Sequence, residues 1–144
     1  MTVVDVSVLV HAANRDATVH GVSVSWLTSA INGSAAVLVP WVSILGFVRL
    51  TTSPRVMPRP LSNADAWGFV DRLLSAPAVR TVEPSSSHGA TVERLLEQVA
   101  NPSRLVTDAH VAALALENHA EVVTWDTDFS LFAGVRWRCP SLDE

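Results

Sequence analysis

Lysine is missing from this chain. All ten basic residues among its 144 are arginine, against fourteen acidic ones, for a formal net charge of -4. Without an ε-amine the protein cannot build a Walker A phosphate loop, a Schiff base, a kinase site or a phosphoaspartate receiver with its lysine. Cysteine occurs once, at Cys139. An internal disulfide and a thiolate zinc site are therefore both excluded, and a reducing, cytoplasmic setting is the expectation. The six glycines fall at 21, 33, 46, 68, 89 and 134, with no G-x-G-x-x-G turn for a dinucleotide. The five histidines, at 11, 20, 88, 110 and 119, include no i, i+4 pair, and no G-x-S-x-G elbow is present. No run approaches the roughly 18 apolar residues of a membrane span, and no basic residue precedes Arg15 to open a signal peptide. A chain that keeps its N-terminus and does not enter a membrane is expected.

Hydrophobic residues make up 49% of the chain and charged ones 17%, a balance suited to one packed domain over residues 1–144. Charge is divided along the sequence. Residues 1–64 carry a net +2 and residues 65–144 a net -6, and no acid lies between Asp16 and Asp65 while Arg49, Arg55 and Arg59 do. An acidic total can thus coexist with a basic surface.

Short continuous apolar runs alternate with amphipathic stretches. The runs at 2–8, 35–40, 78–82, 120–125 and 134–137 have strand length, and continuous apolar strands belong to a sheet covered on both faces. Ala66, Phe69, Val70, Leu73 and Leu74 repeat at helical spacing, as do Val92, Leu95, Leu96 and Val99. Helices are also expected around 17–32, 41–52 and 107–118. Proline-bearing loops at 53–62 and 83–87 separate them, with Ser62 and Ser85 to Ser87 as candidate N-caps. This alternation predicts an α/β fold with a mainly parallel central sheet.

With nucleophile and zinc signatures missing, carboxylates remain. Asp5 interrupts VVDVSVLV, where an unpaired buried charge would cost several kcal/mol, about the effective penalty for one ion. It serves either a ligand at a strand terminus or the donors of a following helix turn. Asp108 opens the 107–118 helix beside Thr107, a place the helix dipole favours for any acid. Asp126 and Asp128 follow the fourth strand in VVTWDTDF, at a strand end suited to chemistry but also to an Asx turn. Carboxylates gathered at one sheet edge repel unless a cation joins them, and a hard oxygen set selects Mg²⁺, with Mn²⁺ as a substitute. Such a site suits metal-assisted phosphodiester hydrolysis without a protein nucleophile.

VVDVSVLV, WVSILGFVRLTTSPRV, TDAHVAALALENHAEVVTWDTDFSLF and GVRWRCP, in that order, resemble the PIN-domain ribonucleases, in particular the toxin component of VapBC-type toxin–antitoxin pairs. The resemblance implies a three-layer α/β/α PIN fold and Mg²⁺-dependent cleavage of structured RNA. It also implies a small antitoxin partner and a homodimer. Carried onto this chain, it makes Asp5, Asp108 and Asp126 catalytic, with Asp5 and Asp108 as principal Mg²⁺ ligands and Asp126 and Asp128 completing the pocket. Ser7 and Thr124 would hold those carboxylates in place. Gly46 departs from the pattern, because many family members carry a glutamate there; one metal ion rather than two is expected, and a non-cutting RNA- or protein-binding module is the alternative. Arg49, Arg55 and Arg59 are candidates for RNA phosphate, Arg49 equally for pairing a pocket aspartate. Trp41, Trp67 and Trp125 suit base stacking or packing. His110, two residues beyond Asp108, is expected to face away from it.

Overall fold

The structure is a computed structural model that describes residues 1–141. The last three positions of the expected 1–144 domain lie outside the described residues. Five strands, β1 (Thr2–Val4), β2 (Val37–Leu38), β3 (Val79–Arg80), β4 (Glu121–Val123) and β5 (Trp137–Arg138), form one sheet in the order β3-β2-β1-β4-β5. Every pairing is parallel. Among the described residues the α-helices are α1 (Val6–Ala13), α2 (His20–Ile31), α3 (Trp41–Thr51), α4 (Asn63–Ser75), α5 (His88–Leu96) and α6 (Val106–Glu117).

Strand side chains alternate between two cores, which is what gives the expected continuous apolar runs. Val4, Val37, Val79 and Val123 join the core built on α1 to α4, whereas Val3, Leu38 and Val122 join the core built on α5 and α6. Both faces of the sheet are therefore dry, and the α/β/α layering follows.

Two elements depart from the sequence reading, and the smaller is the run 134–137, where β5 takes only Trp137 and continues to Arg138 while Gly134 turns the chain with φ 83°. The run 2–8 was expected as a single strand, but β1 ends at Val4 and Val6–Ala13 is a helix. Asp5 stands at the N-cap with an extended backbone, and its side chain accepts from the Ser7 N–H. The valines of α1 are poor helix formers, yet Val8, Leu9, Val10 and Ala12 are buried in the core that α1 forms with α2 and α3. Burial of that face outweighs a propensity difference of a few tenths of a kcal/mol per residue.

Ser62 caps α4 by accepting from Asp65 N–H, as expected. Ser87 occupies the N-cap position of α5 without a side-chain bond to the helix. The end of α6 is closed by His119 in the left-handed region (φ 52°), with His119 N–H bonded to the Leu116 carbonyl and Ala120 N–H to that of Ala115. This double closure turns the chain within three residues into β4.

Chain order makes the β1/β4 pair the place where the sheet reverses direction. From β1 the chain builds outward through β2 and β3, then returns on the other side with β4 and β5. A parallel sheet opens its ligand crevice at such a switch point, beyond the strand C-termini. Asp5 and Thr124 lie there, immediately after the paired residues Val4 and Val123.

Candidate metal centre

Asp5 is 5% exposed and its Oδ2 collects three donors. The Thr124 hydroxyl donates at 2.7 Å, the Ser7 hydroxyl at 2.7 Å and the Ser7 backbone N–H at 3.3 Å. Each hydroxyl in turn accepts a backbone N–H, Trp125 onto Ser7 at 3.0 Å and Asp126 onto Thr124 at 2.9 Å. The two hydroxyls therefore spend their single protons on the carboxylate and their lone pairs on the β4 loop. Oδ1 of Asp5 has no hydrogen-bond partner among the described residues and remains the oxygen with coordinating capacity.

The same chain of bonds positions the next carboxylate. Asp126 is placed by its N–H on Thr124, and its Oδ1 accepts from Asp128 N–H at 2.9 Å, so Asp126 caps and Asp128 opens one short 3-10 turn, Thr127–Leu131. Asp108 arrives from the first turn of α6, after the 3-10 turn Pro102–Leu105. Carboxylate oxygens of Asp108, Asp126 and Asp128 all lie within 4.8 Å of one another. The expected gathering of the four acids is thus met by three in close convergence, with Asp5 beside them and held by the hydroxyls of Ser7 and Thr124.

Electrostatics show what that convergence costs. The Asp108 carboxyl is pushed up to about 6, first by burial, then by the charges of Asp126, Asp5 and Asp128, with Arg104 pulling the other way. A half-buried acid facing three others is a site short of positive charge. An all-oxygen donor set around such a deficit fits a hard divalent cation.

Arg104 is the residue that sequence reading missed. Its guanidinium donates to Asp128 Oδ2 at 2.7 Å, making it the arginine that pairs with a pocket carboxylate among the described residues. The local signal was its position four residues ahead of Asp108 in SRLVTD, one helical turn away. Arg49 is exposed in the last turn of α3, Arg55 is exposed in the following loop, and Arg59 is exposed and bridges Asp16 at 2.8 Å. None of the three is paired with Asp5, Asp108, Asp126 or Asp128 among the described residues.

Gly46 has a steric reason for its identity. A Cβ there would come within 3.1 Å of Val6 Cγ2, so α3 runs close against the start of α1. A larger residue would press on the residue next to Asp5. Trp67 and Trp125 pack against the core on the α1 to α4 side, and Trp125 Nε1 donates to Ser23 Oγ at 2.8 Å, whereas Trp41 is exposed. His110 turns toward α5, where its Nδ1 meets His88 Nε2 at 2.8 Å. Burial and the His88 ring hold the His110 imidazole below its ordinary range, against a pull upward from Glu117.

Comparison with known proteins agrees with this geometry. The family model described as the PIN domain matches residues 2–135. The chain is 41% identical to ribonuclease VapC37 of Mycobacterium tuberculosis, over 97% of each chain. Its fold is similar to that in the crystal structure of VapBC2 from Rickettsia felis, bound to a promoter DNA fragment, with a TM-score of 0.68 at 14% identity, covering 97% of this chain and 98% of the other. It is likewise similar to M. tuberculosis VapC20, described as a sarcin–ricin loop cleaving toxin, with a TM-score of 0.67 at 18% identity over 94% and 99%. No helix among the described residues is long and apolar enough to cross a membrane.

Proposed function

The chain belongs to the PIN-domain family, and on that premise we propose that it is a Mg²⁺-dependent endoribonuclease, the toxin of a toxin–antitoxin pair. The observation that carries the reading is the convergence of Asp108, Asp126 and Asp128 within 4.8 Å beside the oriented carboxylate of Asp5. Relatives at up to 41% identity are named as VapC ribonucleases.

Asp108 and Asp126 would hold the cation together with Oδ1 of Asp5, and Asp128 would do so directly or through water while keeping Arg104. Mg²⁺ fits because every donor is a carboxylate oxygen, and Mn²⁺ should substitute. When bound, the ion supplies Lewis acidity for activating a water and offsetting charge on the phosphate oxygens. The protein's own part is to gather and aim the carboxylates. Ser7 and Thr124 fix Asp5, the Asp126 turn fixes Asp128, and the closed α6 terminus fixes the entry of β4. The close approach of Gly46 to Val6 leaves the helix that often supplies a further acid without one, so the site is read as holding one metal ion. Arg49 and Arg55 supply cations for the RNA backbone, and Arg59 does so from its exposed pair with Asp16. The partners are then a small cognate antitoxin, an RNA substrate and a second copy of the chain, in the cytoplasm.

Cleavage of RNA by purified protein with Mg²⁺, and its loss in Asp5→Ala and Asp108→Asn, tests the reading; retained cleavage in either variant overturns it. Mapping 5′ ends of cellular RNA after brief induction of the wild type and of Asp5→Ala identifies the cut sites. A chain that binds RNA but neither Mg²⁺ nor cuts would be the non-catalytic module that Gly46 suggests, and Mg²⁺ calorimetry separates the two.

A further inference from the structure

Hydrogen bonds run in series from the buried end of β4 out to the surface. Thr124, fully buried, takes the Asp126 N–H at 2.9 Å, and Asp126 Oδ1 takes the Asp128 N–H at 2.9 Å. Asp128 Oδ2 in turn takes Nη1 of Arg104 at 2.7 Å. Arg104 stands in the 3-10 turn Pro102–Leu105, which runs straight into α6 and Asp108. Its side chain is 57% exposed, and the charges of Asp126 and Asp108 act on it in addition to that of Asp128. It occupies the rim of the acidic cluster.

The contact with Asp128 uses little of what a guanidinium offers. Of its five N–H donors, those on Nε and Nη2 have no hydrogen-bond partner among the described residues. An exposed bridge of this kind contributes little to stability. Gathered carboxylates repel a polyanion, so RNA that reaches them needs a cation at their rim. No lysine exists to serve, and among the described residues Arg104 is the arginine in contact with a carboxylate of the cluster.

We propose that Arg104 is a catalytic residue, keeping Nη1 on Asp128 while its Nε–Nη2 edge grips the non-bridging oxygens of the scissile phosphate. The inference rests on the endoribonuclease reading. Arg59 uses that same edge on the carboxylate of Asp16, at 3.3 and 2.8 Å. A phosphate accepts it in the same planar, two-point way, which an ammonium cannot match. Attack of water adds negative charge to those oxygens, and a guanidinium already held in place stabilises that charge without reorganising. The hydroxyl of the water ends on phosphorus and its proton on the leaving oxygen, while Arg104 stays protonated and exchanges nothing.

Two measurements on the full chain test this. The first is fluorescence anisotropy with a labelled pool of RNA hairpins in EDTA, repeated over a range of salt. Loss of one phosphate contact lowers the slope of log affinity against log salt by about 0.7–0.9. Arg104→Gln should show that drop. Arg136→Gln makes the same change of net charge just ahead of β4, at the other end of the sheet, where Arg136 donates to the His119 carbonyl. It should keep the wild-type slope.

The second measurement is cleavage of the same pool in Mg²⁺, where Arg104→Gln should lower kcat about 100-fold. Arg104→Lys keeps the charge without the fork, so it should restore the salt slope but little of kcat. Each variant should melt within about 2 °C of wild type in EDTA; if Arg104→Gln melts early, Arg104→Lys carries the test. An unchanged slope or an unchanged kcat in Arg104→Gln overturns the proposal. Full recovery of kcat by Arg104→Lys does so as well, since it would reduce Arg104 to a surface charge. A wild type that binds the pool but cuts none of it sinks the endoribonuclease reading itself, an outcome read on the wild type alone.

Discussion

The hydroxyl of Thr124 donates to Asp5 Oδ2 at 2.7 Å, across 119 positions of sequence. That bond ties the end of β1 to the end of β4 at the point where the sheet reverses. It is the join on which the acidic cluster is built, because Thr124 also receives the N–H of Asp126.

Replacing Thr124 by valine keeps the shape and removes the donor. Asp5 then keeps only its two Ser7 donors on Oδ2, and the Asp126 N–H loses its acceptor. A stability loss of about 1–3 kcal/mol is expected from denaturant melts. Mg²⁺ affinity or cleavage rate should drop about 10- to 100-fold, the usual cost of removing a group that orients a metal ligand. Thr124→Ser, which retains the hydroxyl, should recover most of both.

Asp108 should destabilise the metal-free protein at neutral pH. Its folded value of about 6 lies above the ordinary 3.8, so the folded state binds the proton more tightly than the unfolded chain does. Stability from this group is therefore highest below about pH 4, falls as pH rises toward about 6, and stays low above that. Asp108→Asn removes the deficit. In EDTA at pH 7.5 its melting temperature should rise by a few degrees, on the order of 1 kcal/mol after allowing for partial solvation. Adding Mg²⁺ should reverse the order, stabilising wild type and not the variant.

Arg104 is expected to hold down the Asp108 value, since its charge acts on Asp108 as well as on Asp128. Arg104→Gln should therefore move the Asp108 titration upward, read by carboxyl carbon NMR without metal. An unchanged or lowered titration would show that the charge of Arg104 does not act on Asp108.

Gly46 and Val6 should be energetically coupled. Alanine at 46 gains about 1 kcal/mol of helix propensity but meets Val6 Cγ2 at 3.1 Å. In a double-mutant cycle with Val6→Ala, the gain should be larger in the Val6→Ala background by about 0.5–1 kcal/mol. An additive cycle would mean that α1 and α3 yield without strain.

The pH dependence of cation binding follows from the same acid. Below about pH 6 a proton competes with the ion at Asp108, so Mg²⁺ affinity should weaken there and binding should release protons. Calorimetry in buffers of different ionisation enthalpy measures that release, and Asp108→Asn should abolish it.

The missing lysine, the order of strand and helix, the dry two-faced sheet and the four aspartates were all legible in the sequence, because each depends on composition or on short-range periodicity. Even the start of α6 near residue 107 and the cap at Ser62 are local matters. The VSVLV run misled, since period alone does not tell a buried helix from a buried strand, and it is the tertiary packing of α1 on α2 and α3 that buries Val6–Ala13 as a helix. What the tertiary structure decided are the pairings between distant segments. Register between Val4 and Val123 sets Asp5 beside Thr124. The turn before α6 brings Arg104 to Asp128, and the packing of α5 on α6 aligns His88, His110 and Glu117. These contacts depend on how helices and strands stack in space, where sequence separation carries no information, so the carboxylates could be named beforehand but not their order of convergence. The absence of lysine then takes its full meaning: among the described residues the cation paired with a pocket carboxylate is Arg104, on Asp128, and the remaining acids are those the proposed Mg²⁺ would neutralise.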